Sequence, residues 1–313
     1  MCNQGDKNAG SSTGLMAPHK VIDVVQEEFY KVNLTLDNNF RLSPPDKTTN
    51  FTTAGMQWFK NRFNNPDGTR CGSRQSCLRT NDLSLIGDGT HLTYFEMLGN
   101  FSFGNNDYEQ SVELWHNIVS QLKIPVTYVT VHPSQKYHKR VWERLHYPIK
   151  EDESCVWSDG NIGGYCCEMF VNDLEIGNLV NTSGVSTDVG FGFERLVQVY
   201  ENQTNIHDTT LFDCSLPPFV RDHVRALNAL YLNGIKPGAS GPNYSAKLIL
   251  RRVLSHLDPK CYKFGHWLEQ EKLISEDGKY RAKKHFNRYG IKDYDFVKAT
   301  FGLTAEEYEE VLS

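Results

Sequence analysis

Apolar residues recur at helical spacing along Val21, Ile22, Val24, Val25, Phe29 and Val32, which predicts an amphipathic helix over residues ~19–33. The same spacing at Val112, Trp115, Ile118, Val119 and Leu122 predicts a second helix near 109–122. Between and after them lie strand-like runs at Phe51–Thr53, Ser76–Thr80, Thr93–Phe103, Val126–Val131, Cys166–Asn172, Leu174–Asn181 and Val185–Asp188, with Pro125 and Pro148 as punctuation. Strands outnumber helices up to Arg195, and helices take over at ~217–233 and ~243–257. That order predicts an α+β domain followed by a helical one. The tail, ~261–313, alternates short apolar and charged stretches, basic over Arg281–Arg288 and acidic over Glu306–Glu310, and no internal repeat is present.

Bulk properties narrow the class. A chain of 313 residues, 39% apolar and 23% charged, can bury a sizeable core. No apolar run approaches the ~18 residues of a membrane span. Met1 to Ala17 is rich in Gly, Ser, Asn and Thr and lacks the apolar core of a signal peptide, so residues 1–17 read as a disordered leader and a cytoplasmic location is expected. Eight irregularly spaced cysteines then read as reduced thiols rather than a disulfide framework. A net charge of −5 argues against a generally basic nucleic-acid binder while leaving room for a local basic groove.

Four segments carry the chemistry: Phe51-Thr52-Thr53-Ala54-Gly55-Met56; Gln75-Ser76-Cys77-Leu78-Arg79; the run from Phe95 to Gly104; and Ser186-Thr187-Asp188-Val189-Gly190-Phe191-Gly192-Phe193-Glu194-Arg195. In this order they resemble the catalytic core of the alanyl-tRNA synthetases, class II aminoacyl-tRNA synthetases, over roughly residues 20–257. The resemblance implies a six- to seven-stranded antiparallel sheet flanked by helices, with an adenylation domain over residues 18–212 and a helical domain over 213–313. It also implies ATP as substrate, with magnesium.

Adenylation asks a carboxylate to attack the α-phosphorus of ATP, so fixed positive groups are the main lever. Arg79 and Arg195 stand where the family places its two phosphate-binding arginines, a role that suits the bidentate, permanently charged guanidinium. An arginine met without that context is ordinarily a solvated or ion-paired surface residue. By the same resemblance Phe95 stacks on adenine, and His91 reaches toward the γ-phosphate, a position where arginine is equally usual. Glu175 is the candidate magnesium carboxylate. Asp188 matches the partner of the substrate ammonium and Asn178 the asparagine beside the substrate. Met56, Trp157 and Val180 match apolar walls of the alanine site, and Gly190 leaves room beside Asp188.

The chain departs from the family at four places. Gly177 replaces a bulky tryptophan before the asparagine, which would enlarge the pocket where Gly177 faces it. The loop after Arg79 lacks the usual Gly-Gly-Lys-His before Asn81-Asp82, and Ser158–Cys167 lacks the family's Gly-Pro-Cys-Gly-Pro-Cys-Ser pattern, its adjacent cysteines having no zinc-ligand spacing. The editing and C-terminal domains are not expected, and no His-xxx-His pair exists to hold an editing zinc. Tyr244–Val253 resembles the family's arginine-rich helix, keeping Arg251, Arg252 and His256 but with Gly241-Pro242-Asn243 in place of Asn-Arg-Gly; Lys283, Lys284 and Arg288 are alternative phosphate contacts.

Small apolar pockets separate glycine, alanine and serine by only ~1–3 kcal/mol, so translation would need editing from elsewhere. The favoured expectation is therefore activation of alanine or a similar small amino acid, with transfer to an acceptor outside ordinary translation: a small molecule, a carrier-protein thiol or a biosynthetic tRNA. A minimal alanyl-tRNA synthetase and a catalytically silent amino-acid-binding or regulatory module are the alternatives. The oligomeric state stays open.

Overall fold

The computed structural model describes residues 17–212, 216–256, 265–290, 292–301 and 303–313. The expected leader lies outside these residues except for Ala17, which opens helix α1 (Ala17–Lys31). The chain continues through β1 (Leu36–Asn39), α2 (Lys60–Asn64), β2 (Arg70–Leu78), β3 (Tyr94–Ser102), α3 (Tyr108–Gln121), β4 (Tyr128–Val131), α4 (Lys136–Arg144), β5 (Ile149–Glu151), β6 (Val156–Asp159), β7 (Ile162–Val171), β8 (Leu174–Thr182), β9 (Ser186–Gly192) and α5 (Phe193–Tyr200). The remaining described elements are helices: α6 (Pro218–Leu232), α7 (Gly241–Leu254), α8 (Gly265–Tyr289), α9 (Tyr294–Phe301) and α10 (Ala305–Leu312). The architecture is α+β.

The strands form one sheet in the order β1-β2-β3-β9-β8-β7-β4-β5, with β6 paired to β7. It is larger than the six or seven strands expected, and not wholly antiparallel: β1 runs parallel to β2 and β5 parallel to β4. Both additions are short and lack apolar alternation, so their pairing is imposed by neighbours. At β1 the close approach depends on Gly72, where a Cβ would lie 2.5 Å from the Thr35 carbonyl and 2.6 Å from the Phe29 ring. The run Phe51–Thr53 is not a strand; Thr52 instead bridges Leu42 and Leu78 through backbone hydrogen bonds.

The stripe of α1 (Val21, Val24, Val25, Phe29) and that of α3 (Val112, Trp115, Ile118, Val119) are buried on one face of the sheet, against Leu98, Leu179, Val189 and Phe191. Trp115 lies flat on Phe191, 3.8 Å between ring centroids, and its indole N–H donates to Asn100. α6 and α7 bury a separate cluster with Leu42, Phe51, Leu78 and Tyr94 at one end of β2 and β3, and α8, α9 and α10 share a third. Among the described residues no helix is long and apolar enough to cross a membrane.

Candidate functional site

Strand register decides what the other face of the sheet carries. Cys77 pairs with Phe95, Phe101 with Asp188, Val180 with Asp188, and Asn178 with Gly190. Cross-strand partners project to one face, so Phe95, Met97, Phe101, Asp188, Gly190, Asn178 and Val180 share the face turned away from α1 and α3.

At one end of this face a cleft of ≈ 130 Å³ brings together Arg79, His91, Phe95, Glu175, Gly190 and Arg195. Arg79, just beyond β2, donates through Nε and Nη2 to the Thr53 carbonyl at 3.3 and 3.1 Å, and its guanidinium lies 4.9 Å from the centre of the Phe95 ring. Arg195 leaves the first turn of α5 and donates through Nη1 to the Glu175 carbonyl (2.7 Å) and carboxylate (3.2 Å). His91 holds Asp88 through Nδ1 at 2.5 Å. Burial opposes ionisation of Asp88, but the backbone N–H groups of His91 and Thr90 and the His91 ring hold its carboxyl well below the usual range.

Beneath α5, buried Glu194 accepts the Glu96 backbone N–H at both carboxylate oxygens (3.2 and 3.0 Å) and is paired to Arg225 of α6. Burial pushes the Glu194 carboxyl up, against the pull of Arg225. Glu96 is itself paired to Arg74. Sequence reasoning passed over Glu194 although it stands in the motif beside Arg195. Arg225 had no local signal, because its partner lies 31 residues away.

Among the amino-acid candidates Gly190 lines that cleft; the others lie farther along the same face. Burial pushes the Asp188 carboxyl up to about 7, and no cation partners it among the described residues. Asn178 Oδ1 is buried and accepts no hydrogen bond among the described residues. Met56, on a short 3-10 turn, and Trp157, on β6, pack with Phe101, whose strand neighbour is Asp188; Val180 packs beside Trp157. At Gly190 a Cβ would come within 2.7 Å of Met97 Sδ, so a side chain there would displace Met97.

One expectation changes. Gly177 does not widen the amino-acid end: it pairs with Phe191, and a Cβ would lie 2.3 Å from that ring. The position points into the helix-covered core, where Phe191 and Trp115 already fill the space. Arg251 and Arg252 are engaged within the chain: Arg251 binds Thr304 (3.1 Å) and Glu307 (2.6 Å) at the start of α10, while Arg252 donates to the Leu83 carbonyl (2.9 Å). For magnesium, no three acidic, His or Cys side chains converge as a metal site among the described residues. Glu175 fits only the arrangement in which phosphates and water supply most of the ligands.

A family model described as tRNA synthetases class II (A) matches residues 39–161. The alanine–tRNA ligases of Desulfitobacterium hafniense (31% identical over 281 residues), Endomicrobium trichonymphae (31% over 275) and Wolbachia pipientis (29% over 300) align with 67%, 67% and 75% of this chain. They align over 32%, 31% and 34% of their own lengths, so the chain spans about a third of the relatives it matches. The solved pyrrolysyl-tRNA synthetase of Desulfitobacterium hafniense superposes on 64% of the chain and 74% of its own, at a TM-score of 0.41 and 11% identity, too slight a likeness to argue from. The α+β fold and the matched region are those of a class II aminoacyl-tRNA synthetase-like core. Within that class, this chain carries an alanyl-tRNA synthetase-like core.

Proposed function

We propose that the protein is an ATP-dependent ligase that activates alanine or a similarly small amino acid as its aminoacyl-adenylate. The carrying observation is the layout of one sheet face: two arginines and an aromatic ring at one end, a half-buried carboxylate without a cation among the described residues farther along. In this reading Phe95 stacks on adenine. Asp188 pairs with the substrate ammonium, and the amino acid's own carboxylate then turns toward the nucleotide end. An oxygen of that carboxylate attacks the α-phosphorus and pyrophosphate leaves. Arg79 and Arg195 exchange their present carbonyl and carboxylate partners for phosphate oxygens and hold the charge that develops. Magnesium carried by the nucleotide would neutralise phosphate charge, with Glu175 as its protein ligand. Met56, Trp157 and Val180 limit the side chain.

The acyl group then passes to an acceptor outside ordinary translation: a small molecule, a carrier-protein thiol or a biosynthetic tRNA. The engagement of Arg251 and Arg252 within the chain supports this reading, since both already bind protein groups. The relatives' own activity favours a second reading, direct charging of tRNA. ATP–pyrophosphate exchange with the common amino acids, β-alanine and small non-protein amino acids tests the first step. Exchange with one small substrate is expected. Intact ATP binding without exchange under any amino acid, with or without tRNA, would leave a silent binding module. Filter binding of tRNA across a salt series separates the two acceptor readings.

A further inference from the structure

We infer that Cys155 and Cys166 form a reversible cross-strand disulfide that adjusts the amino-acid end of the sheet face. On β6 and β7, Val156 pairs with Tyr165, so the next residues outward, Cys155 and Cys166, stand opposite each other. The Cys166 N–H donates to the Cys155 carbonyl at 3.0 Å. The Cys155 N–H turns instead to the Asp152 carbonyl (3.2 Å), so the pair carries one of its two possible bonds. Directly opposed antiparallel residues have Cα atoms ~4.5–5.5 Å apart, inside the ~4.4–6.8 Å span a disulfide bridges. Their Cβ atoms, ~4.5–5.5 Å apart, must close further, and a strained bridge is a readily reduced one.

The two thiols already interact. The Cys166 thiol, with help from the Thr130 hydroxyl and against burial, holds the Cys155 thiol below its ordinary range and is itself pushed up, which makes Cys155 the attacking thiolate. Cys71 and Cys167, by contrast, are pushed up by burial to about 11 and about 12, and Cys167 faces the helix-covered core. Cys155 and Cys166 share a small cluster with Val180 and Trp157. Trp157 lies on β6 two residues after Cys155, which immediately precedes that strand, and Val180 pairs with Cys166 across β7 and β8. Closing the bridge draws β6 toward β7 and carries Trp157 with it.

The oxidant is a peroxide. One thiolate attacks the peroxide oxygen to give a sulfenic acid and water. The second thiol then displaces water from that sulfur to form the S–S bond. Overall, two thiols lose two electrons and two protons, and hydrogen peroxide becomes two waters. A dithiol reductant reverses the change.

The effect on the amino acid rests on the adenylation reading; the bridge itself does not. The full chain is treated with graded hydrogen peroxide, alkylated and mapped by peptide mass spectrometry, with exchange kinetics on the same samples. A Cys155–Cys166 linkage is expected that dithiothreitol removes, with an amino-acid KM shifted at least ~5-fold and an ATP KM unchanged. Cys166→Ser should show neither linkage nor shift. Oxidised protein without this linkage, or linked protein with an unchanged amino-acid KM, would overturn the proposal. Reduced protein with no exchange would instead defeat the adenylation reading, and the mapping would still decide the bridge.

Discussion

Arg79 and Arg195 at the nucleotide end are each held by a protein oxygen, whereas at the amino-acid end Asp188 and the Asn178 carbonyl have no such partner among the described residues. The contrast follows from exposure. Cations near solvent find a carbonyl or carboxylate at little cost and exchange it for phosphate when a ligand arrives. A half-buried carboxylate without a cation stays partly protonated until a ligand supplies one. One end stores its order in exchangeable contacts; the other stores a deficit.

The comparison breaks most visibly at the arginines. Arg195→Ala should lower ATP–pyrophosphate exchange by about 10²–10³-fold, with Arg79→Ala close behind; either variant at wild-type rate would remove the nucleotide end from the chemistry. Asp188→Asn should raise the amino-acid KM about 10- to 100-fold, the worth of a charge-assisted hydrogen bond, while the ATP KM stays put. A rise shared by both substrates would mean that the two ends are not separate. Phe95→Ala should do the reverse, raising the ATP KM about 10-fold through lost stacking, as equilibrium ATP binding can check.

Titration sharpens the contrast. If Asp188 must be ionised to take the ammonium, kcat/KM for the amino acid should rise about 10-fold between pH 6 and 8 around the value of about 7, a limb that Asp188→Asn abolishes. The stability effect has the opposite sign. Between its ordinary value near 4 and about 7 the unfolded chain has released a proton that the folded chain keeps, so stability falls as pH rises through that window. Thermal melts of the ligand-free protein should therefore place Asp188→Asn above the native chain by roughly 5 °C at pH 8, with the gap closing toward pH 4. The smallest effect on chemistry belongs to Gly177→Ala: a loss of about 1–3 kcal/mol in urea unfolding, with substrate KM values little changed.

Helices with apolar stripes and strands with apolar runs were legible in the chain: α1, α3, β3 and β8 fall within a few residues of their predicted bounds. β1 and β5 were not, because their pairing comes from adjacent strands rather than from alternation of their own. Motif order placed the arginines and Phe95 near one another. It could not say that Gly177 turns to the core: that depends on register against Phe191, and a one-residue shift would reverse it. Nor could it reveal Glu307 on Arg251, a contact between helices 56 residues apart.

That last contact makes the end of the chain a separately meltable piece. α8, α9 and α10 share an apolar cluster of their own, and α10 is tied to α7 by Arg251 and Lys247 around Glu307. Amide hydrogens there should exchange through openings cheaper than global unfolding, while those of the central strands stay protected. The molecule would then lose its structure in two stages, tail first, and a single melting midpoint would describe neither.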